Sequence, residues 1–412
     1  MSITQLLITH NCFYYEYKKI LPVYLVFLSM GMVDAAGPMV SLARESFKLS
    51  IAMATLLPLL GYLMFGVLSI PTGVLQDKKG KIAVLNLGLG IMFLGLVIPV
   101  LSGMYGNMKA DDTSMQFFYR ILMAVLFIGG GGAILQVAGN PFIRDISEEG
   151  HYSKNLSMAQ SFITIGSSLG FLLPAFVFNV FGLDWSILFP VYAVIVLTAG
   201  LWLNMGKTRE VKQEKTKAAT FRSCFRLLGN GYVLAMVTGI FVYCGVEIAI
   251  ASHTPILLND KFHISLEKMG LLISWSLFYL PIFLGRFLGS FILKHIAPVR
   301  LLFLTGVLAL TGTLMILFSS ALALTLAGVL LVGFGFANIF PLVFSLTIDH
   351  MPQHQNELSG LMVTMIVGGA FIPLMMGLVA DATSITWAFV VPLACICYIL
   401  FLGFLNYRKN NH

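Results

Sequence analysis

The chain reads as an all-α, polytopic membrane protein, with twelve transmembrane helices arranged in two six-helix bundles. Three observations predict this class. Of 412 residues, 58% are hydrophobic and only 10% charged, against about 25% charged in an ordinary soluble domain. Apolar runs of roughly 20 residues, the length that crosses a bilayer core, recur along the whole sequence. The basic residues, finally, are distributed unevenly between alternate loops.

Each apolar run must be a helix, because lipid offers backbone groups no partner except one another. The expected spans are 20–40, 53–76, 82–103, 114–140, 155–181, 185–206, 231–257, 269–293, 299–318, 320–347, 357–380 and 384–406. The first run follows a polar opening and contains Asp34, Gly37 and Pro38 with no small-residue cleavage site. It reads as a spanning helix and not as a removed signal peptide. With the N-terminus placed in the cytoplasm, eighteen of the 25 Lys and Arg fall in cytoplasmic segments and five on the opposite side, while Arg120 and Arg286 lie within helices. The positive-inside rule therefore predicts a multi-pass protein of the inner membrane with both termini cytoplasmic. It also accounts for the net charge of +7 without invoking nucleic acid.

Between the sixth and seventh spans, residues 207–230 (KTREVKQEKTKAATFRSCFRLLGN) carry seven Lys or Arg against two Glu. The stretch reads as a solvated basic linker, with room for a short amphipathic helix on the anionic inner leaflet. It divides the chain into bundles at 1–206 and 231–412. The halves carry a weak repeat: Ser157 precedes Gly166 by the same nine-residue step that separates Ser359 from Gly368. Paired six-helix halves with a solute site between them are an organisation of secondary transporters.

Enzyme signatures are missing. No GxxxxGK[ST], HExxH or GxSxG pattern occurs, so neither an enzyme nor an ATP-driven pump is expected. The five cysteines have no disulfide or metal spacing and read as small hydrophobes. No cofactor or metal is expected. Transport would run on an ion gradient or on the solute gradient alone.

Two sets of polar residues carry the chemistry. In the loop after the second span, Gly73, Asp77, Gly80 and Lys81 form a glycine–acid–glycine–base pattern. There an acid at a helix end and glycines in a tight turn would make a releasable clasp between helices. Within the membrane, charge is costly and faces a bundle interior. Asp34 and Glu247 occupy similar places in the first and seventh spans, which are equivalent helices of the two halves. Both are candidates for carrying a proton or binding hydroxyls. Gln136 and Asn140, Gln160 and Thr164, and Tyr243 and Glu247 each lie four residues apart on one helix face. Amides both donate and accept, which suits a hydroxylated ring. Tyr279 and Trp275 could stack on the apolar face of such a ring, and His253 reads as a satisfied polar residue. Helix–helix packing is the competing account of each amide.

Several stretches resemble the fucose–galactose–glucose:proton symporter family of the major facilitator superfamily, in the right order and over nearly the whole chain. They are Ile134 to Ile143 and Asn155 to Phe162 in the fourth and fifth spans, Tyr243 to Ala249 in the seventh, and Gly285 to Ser290 in the eighth. Phe340, Pro341 and Phe344 to Leu346 resemble its tenth helix; Gly360, Leu361, Ile366 to Ala370 and Ala380 to Ala382 resemble its eleventh. The resemblance implies the major facilitator fold and a monomeric, proton-coupled importer of a hexose or related monosaccharide working by alternating access. It implies a first-helix acid at Asp34. The L-fucose branch uses a fourth-helix glutamate where this chain has Gln136, which cannot titrate; Gln136 with Glu247 resembles the glucose/galactose branch. Asn338 is expected to contact sugar, although the family asparagine lies where this chain has Phe336. Arg286 is expected to pair structurally near the cytoplasmic end of its helix. Sodium coupling, uncoupled sugar transport, and export of another polar or cationic solute remain alternatives, as does a receptor without turnover.

Overall fold

The computed structural model describes residues 21–49, 53, 56–108, 114–205, 221–264 and 275–410. Among them there is no strand, and ten helices are long and apolar enough to cross a membrane. An eleventh span is bent by 41° between Gly170 and Leu172. Pro174 explains the bend, because its ring removes a backbone donor and crowds the carbonyl four residues earlier.

The expected first span differs most from its sequence reading. Instead of one helix over 20–40, the chain forms α1 (Leu21–Met30) and, after a tight turn, α2 (Ala36–Phe47). Backbone bonds between them close over three residues rather than four, from Gly31 to Leu28, Met32 to Ser29 and Val33 to Met30. Asp34 lies in this break. The remaining N-terminal helices are α3 (Leu56–Lys79), α4 (Lys81–Leu101), α5 (Met115–Asp145), α6 (Tyr152–Phe181) and α7 (Leu188–Met205).

The basic linker falls largely on residues outside those described, but its end folds as a short helix, α8 (Phe221–Leu227). Cys224 is buried there, and burial next to Glu357 pushes its thiol up to about 11. An inert apolar role fits that residue. The C-terminal helices are α9 (Gly231–Phe262), α10 (Leu280–Ile292), α11 (Pro298–Phe318), α12 (Leu322–Phe336), α13 (Ile339–His350), α14 (Gln355–Thr364), α15 (Gly368–Ala382), α16 (Ile385–Ala388) and α17 (Val390–Asn410).

Glycines let these helices touch backbone to backbone, as close packing in lipid requires. A Cβ on Gly129 would lie 2.5 Å from the Gly61 carbonyl oxygen, and one on Gly368 would lie 2.1 Å from that of Phe241. The N-terminal and C-terminal helices meet along α3–α14, α6–α10, α6–α13 and α5–α14. Between these two groups, Ser153 and Ser345 share a 2.7 Å hydrogen bond, Ser359 donates to the Val137 carbonyl at 2.6 Å, and Arg144 pairs with Asp349 at 3.1 Å. These contacts lie towards the face that bears Lys78, Lys79 and Arg144, here termed the basic face.

Candidate functional site: a polar cavity between the two groups of helices

One cavity lies where α1–α2, α3, α5 and α6 face α9, α10, α13 and the short 3-10 turn Met365–Val367. It holds about 540 Å³ of empty space, part of it continuous with solvent. Three charged side chains line it: Asp34, Glu247 and Arg286. Arg286, buried to 5% exposure, is held from several sides. Its Nε donates to the Ala337 carbonyl at 3.0 Å and one Nη to the Thr164 hydroxyl at 2.6 Å. The other Nη reaches the Tyr243 hydroxyl at 3.1 Å and Glu247 Oε1 at 3.4 Å. A planar fork of five donors is suited to such a junction, since a lysine could not satisfy all these directions.

Asp34 has a different environment. Its Oδ1 accepts from the Tyr62 hydroxyl at 3.2 Å, and its Oδ2 from the Ser167 hydroxyl at 2.6 Å. Glu247 thus has a guanidinium partner, whereas the hydrogen bonds to Asp34 come from neutral hydroxyls. Two carboxylates facing one guanidinium leave a surplus negative charge when both are ionised. A proton or a cation on the site would remove it.

The lining comes from places where helices lose regularity. Asp34 is in the α1–α2 break, Tyr279 ends a π-helical stretch (Trp275–Tyr279), and Ile366 lies in the 3-10 turn between α14 and α15. Phe340 follows the interruption between α12 and α13. Discontinuous helices aim polar groups at a transported solute, and irregular backbone inside a membrane is tolerated where it lines a cavity.

The sequence profile of the Major Facilitator Superfamily matches residues 23–366. The chain belongs to that superfamily. This transporter is 23% identical over 396 residues to the glucose/galactose transporter of Brucella abortus (biovar 1, strain 9-941), covering 93% of each chain. It is 23% identical over 406 residues to the L-fucose-proton symporter of Escherichia coli (strain K12), covering 89% of this chain and 87% of that one. Its fold matches the crystal structure of FucP in the outward conformation with a TM-score of 0.79 at 20% identity, covering 94% of this chain and 98% of that one. The fold expected from the resemblance is thus the observed one, and the protein is a transporter and not an enzyme.

Most of the intramembrane residues singled out in the sequence converge on the cavity of this transporter. Asp34, Gln136, Gln160, Tyr243, Glu247 and Tyr279 all line it. The Gln136 side-chain Oε1 is buried and has no hydrogen-bond partner among the described residues. Two expected sugar contacts lie behind the wall instead. Asn140 is fully buried; its Oδ1 accepts from Gln160 at 3.4 Å, and Tyr152 donates to its carbonyl at 3.1 Å. Asn338 donates to the Gly285 carbonyl at 2.8 Å, packing the α12–α13 break against α10. Trp275 and His253 are also absent from the lining. Arg286 does pair with Glu247, but it does so in the cavity wall and not near a helix end.

The loop motif forms a cross-group contact on the basic face. Asp77 accepts from Asn356 Nδ2 at 3.2 Å, and Gln76 donates to the Asn356 carbonyl at 3.3 Å. Gly73 lets α3 press on α14: a Cβ there would lie 2.8 Å from the Asn356 oxygen. Gly80 has φ 86°, a left-handed value suited to glycine. Lys81 is buried and bonds Asp145, whose other oxygen accepts from Gln355 at 3.4 Å. Sequence reasoning missed Tyr62, Ser167, Asp145 and Asn356. One signal was available for Ser167, since Gln160, Thr164 and Ser167 repeat at i, i+4 and i+7 on one helix face.

Proposed function

We propose that this protein is a sugar transporter that takes up a monosaccharide together with a proton. The reading rests on alternating access between two six-helix halves, residues 1–206 and 231–412. The single observation that carries it is the cavity's chemistry. The Gln136 side-chain oxygen, which has no partner among the described residues, the Gln160 amide and the Tyr279 ring line the cavity together with an ionisable trio and with Ile163, Ile248, Phe340 and Ile366. A sugar presents this mixture of hydroxyls and apolar ring faces. The names of the glucose/galactose and L-fucose-proton relatives support the same class.

Asp34 carries the proton in this reading, because neutral hydroxyls hold its carboxylate while Glu247 is engaged with Arg286. Gln136 and Gln160 hold the sugar, and Glu247 and Tyr243, fixed by Arg286, orient it from the other half. The basic face is cytoplasmic, as are both termini, and the protein works as a monomer in the inner membrane. The Asp77–Asn356 and Asp145–Gln355 contacts close the cytoplasmic side, and they must break for sugar to be released inward. Uptake of labelled hexoses and N-acetylhexosamines into proteoliposomes tests the proposal. Accumulation driven by an inward pH gradient is the expected result. Accumulation driven only by sodium would make Asp34 an ion ligand, and no dependence on either gradient would make the protein a uniporter. Absence of sugar uptake altogether would overturn the assignment.

A further inference from the structure

We infer that Ser167, together with Tyr62, is a positioning residue that sets the proton equilibrium of Asp34, and that a glycine contact between α1 and α6 holds Ser167 in register to do so. The inference rests on the proposed reading of Asp34 only in that Asp34 binds and releases a proton.

Three observations carry it. Both carboxylate oxygens of Asp34 are engaged, one by each hydroxyl, at 2.6 Å for Ser167 and 3.2 Å for Tyr62. The Ser167 hydroxyl has only one proton, and its alternative acceptor, the Ile163 carbonyl of its own helix, is farther away at 3.0 Å. The register is set by backbone contact: a Cβ on Gly166 would lie 2.2 Å from the Leu28 oxygen, and one on Gly31 would lie 2.4 Å from the Ser167 nitrogen. Side chains at either position would part the helices and withdraw Ser167 from Asp34. The same face of α6 presents Thr164 to Arg286. Neighbouring turns of one helix therefore hold the proton site and the arginine of the Arg286–Glu247 pair.

The direction of the effect follows from donor chemistry. A hydroxyl that donates to a carboxylate favours the ionised form, so removing it favours the protonated form. The titratable and charged groups around Asp34 are Tyr62 on α3, Tyr192 on α7, Tyr243, Cys244 and Glu247 on α9, Tyr279 beside α10, and Arg286 on α10. The helix α5 offers only the neutral Gln136, and α6 offers hydroxyls and the Gln160 amide. Of these groups, Ser167 makes the shorter of the two hydrogen bonds to Asp34.

The test is a pH titration of the full-length protein in liposomes, followed by infrared difference spectroscopy of protonated carboxyl groups. The Asp34 band is the one lost in Asp34→Asn. In Ser167→Ala its midpoint should move upward by about one pH unit, a tenfold gain in proton affinity. The band frequency should shift, because the carbonyl loses a donor. Tyr62→Phe should move the midpoint the same way by less, and Ser167→Thr should restore it. An unchanged midpoint and band in Ser167→Ala would reduce Ser167 to a packing residue and overturn the inference. So would a wild-type protein in which no band depends on Asp34. The readout needs no sugar. A titrating Asp34 band without proton-driven uptake would therefore refute the proposed function while leaving this inference standing.

Discussion

Arg286 illustrates how one side chain organises a membrane site. Placing a guanidinium inside a bundle is costly, and its five donors must all find partners. Two backbone carbonyls, two hydroxyls and a carboxylate supply them here, drawn from both groups of helices. Replacing it with lysine keeps the charge but loses the fork, so Arg286→Lys should lower the thermal stability of the purified protein. A scanning fluorimetry curve matching wild type would remove Arg286 from this structural role. The carboxylates give a functional prediction. Asp34→Asn should abolish uphill sugar accumulation yet retain sugar exchange across the membrane, because exchange needs no net proton movement. Counterflow and pH-driven uptake in the same proteoliposomes check this, and accumulation in the mutant would reassign the carrier. Among the described residues the Gln160 side-chain amide, which lines the cavity, makes a long 3.4 Å bond to Asn140, so it can turn to a ligand. Gln160→Ala should weaken sugar binding roughly tenfold to a hundredfold, the consequence of leaving one buried hydroxyl unpaired. A calorimetric titration showing unchanged affinity would return Gln160 to helix packing. Spacing in the sequence put Gln136 and Asn140 on one face, but it could not tell which of the two meets the cavity. That depends on where α6 crosses α5.

At the scale of elements, α3 and α14 meet through glycine. The contact is close because neither Gly73 nor Gly360 carries a side chain: a Cβ on Gly73 would lie 3.2 Å from the Gly360 Cα. Asp77 then reaches Asn356 on the first turn of α14, where an acid is favoured by the helix dipole. Gly73→Val should force the two helices apart and favour the state open at the basic face. Spin labels at exposed positions 79 and 353 would report a longer distance by pulsed resonance, and an unchanged distribution would show that the contact does not govern closure. The glycine–acid–glycine–base spacing makes this motif legible in the sequence. Its partners are not: Asn356 is 279 residues from Asp77 and Asp145 is 64 residues from Lys81, and nothing in local periodicity links them. Breaks inside helices are equally hidden. The stretch around Asp34 is apolar enough to read as a continuous span, yet the backbone turns there and exposes the carboxylate to the cavity.

For the whole molecule, the uneven distribution of Lys and Arg predicts an orientation that labelling can test. A cysteine at position 215 should react with an impermeant thiol reagent from the cytoplasm only, and one at 109 from outside only, each in a cysteine-free background. Labelling of both from the same side would overturn the two-halves arrangement. Membrane residence, helical class, the loop motif and the six cavity-lining residues that sequence reasoning named were legible from composition, periodicity and resemblance, because lipid forces apolar segments into helices and makes intramembrane polar residues conspicuous. Sequence alone also pointed to a transporter. Tertiary structure decided which polar residues share a cavity and which pack behind it. It brought Tyr62 and Ser167 to Asp34, turned Asn140 and Asn338 away, and moved Arg286 from a helix end to the centre of the site. The physical reason is that a helix face is fixed by local spacing, whereas what that face meets is fixed by crossings and breaks that depend on every neighbouring helix at once.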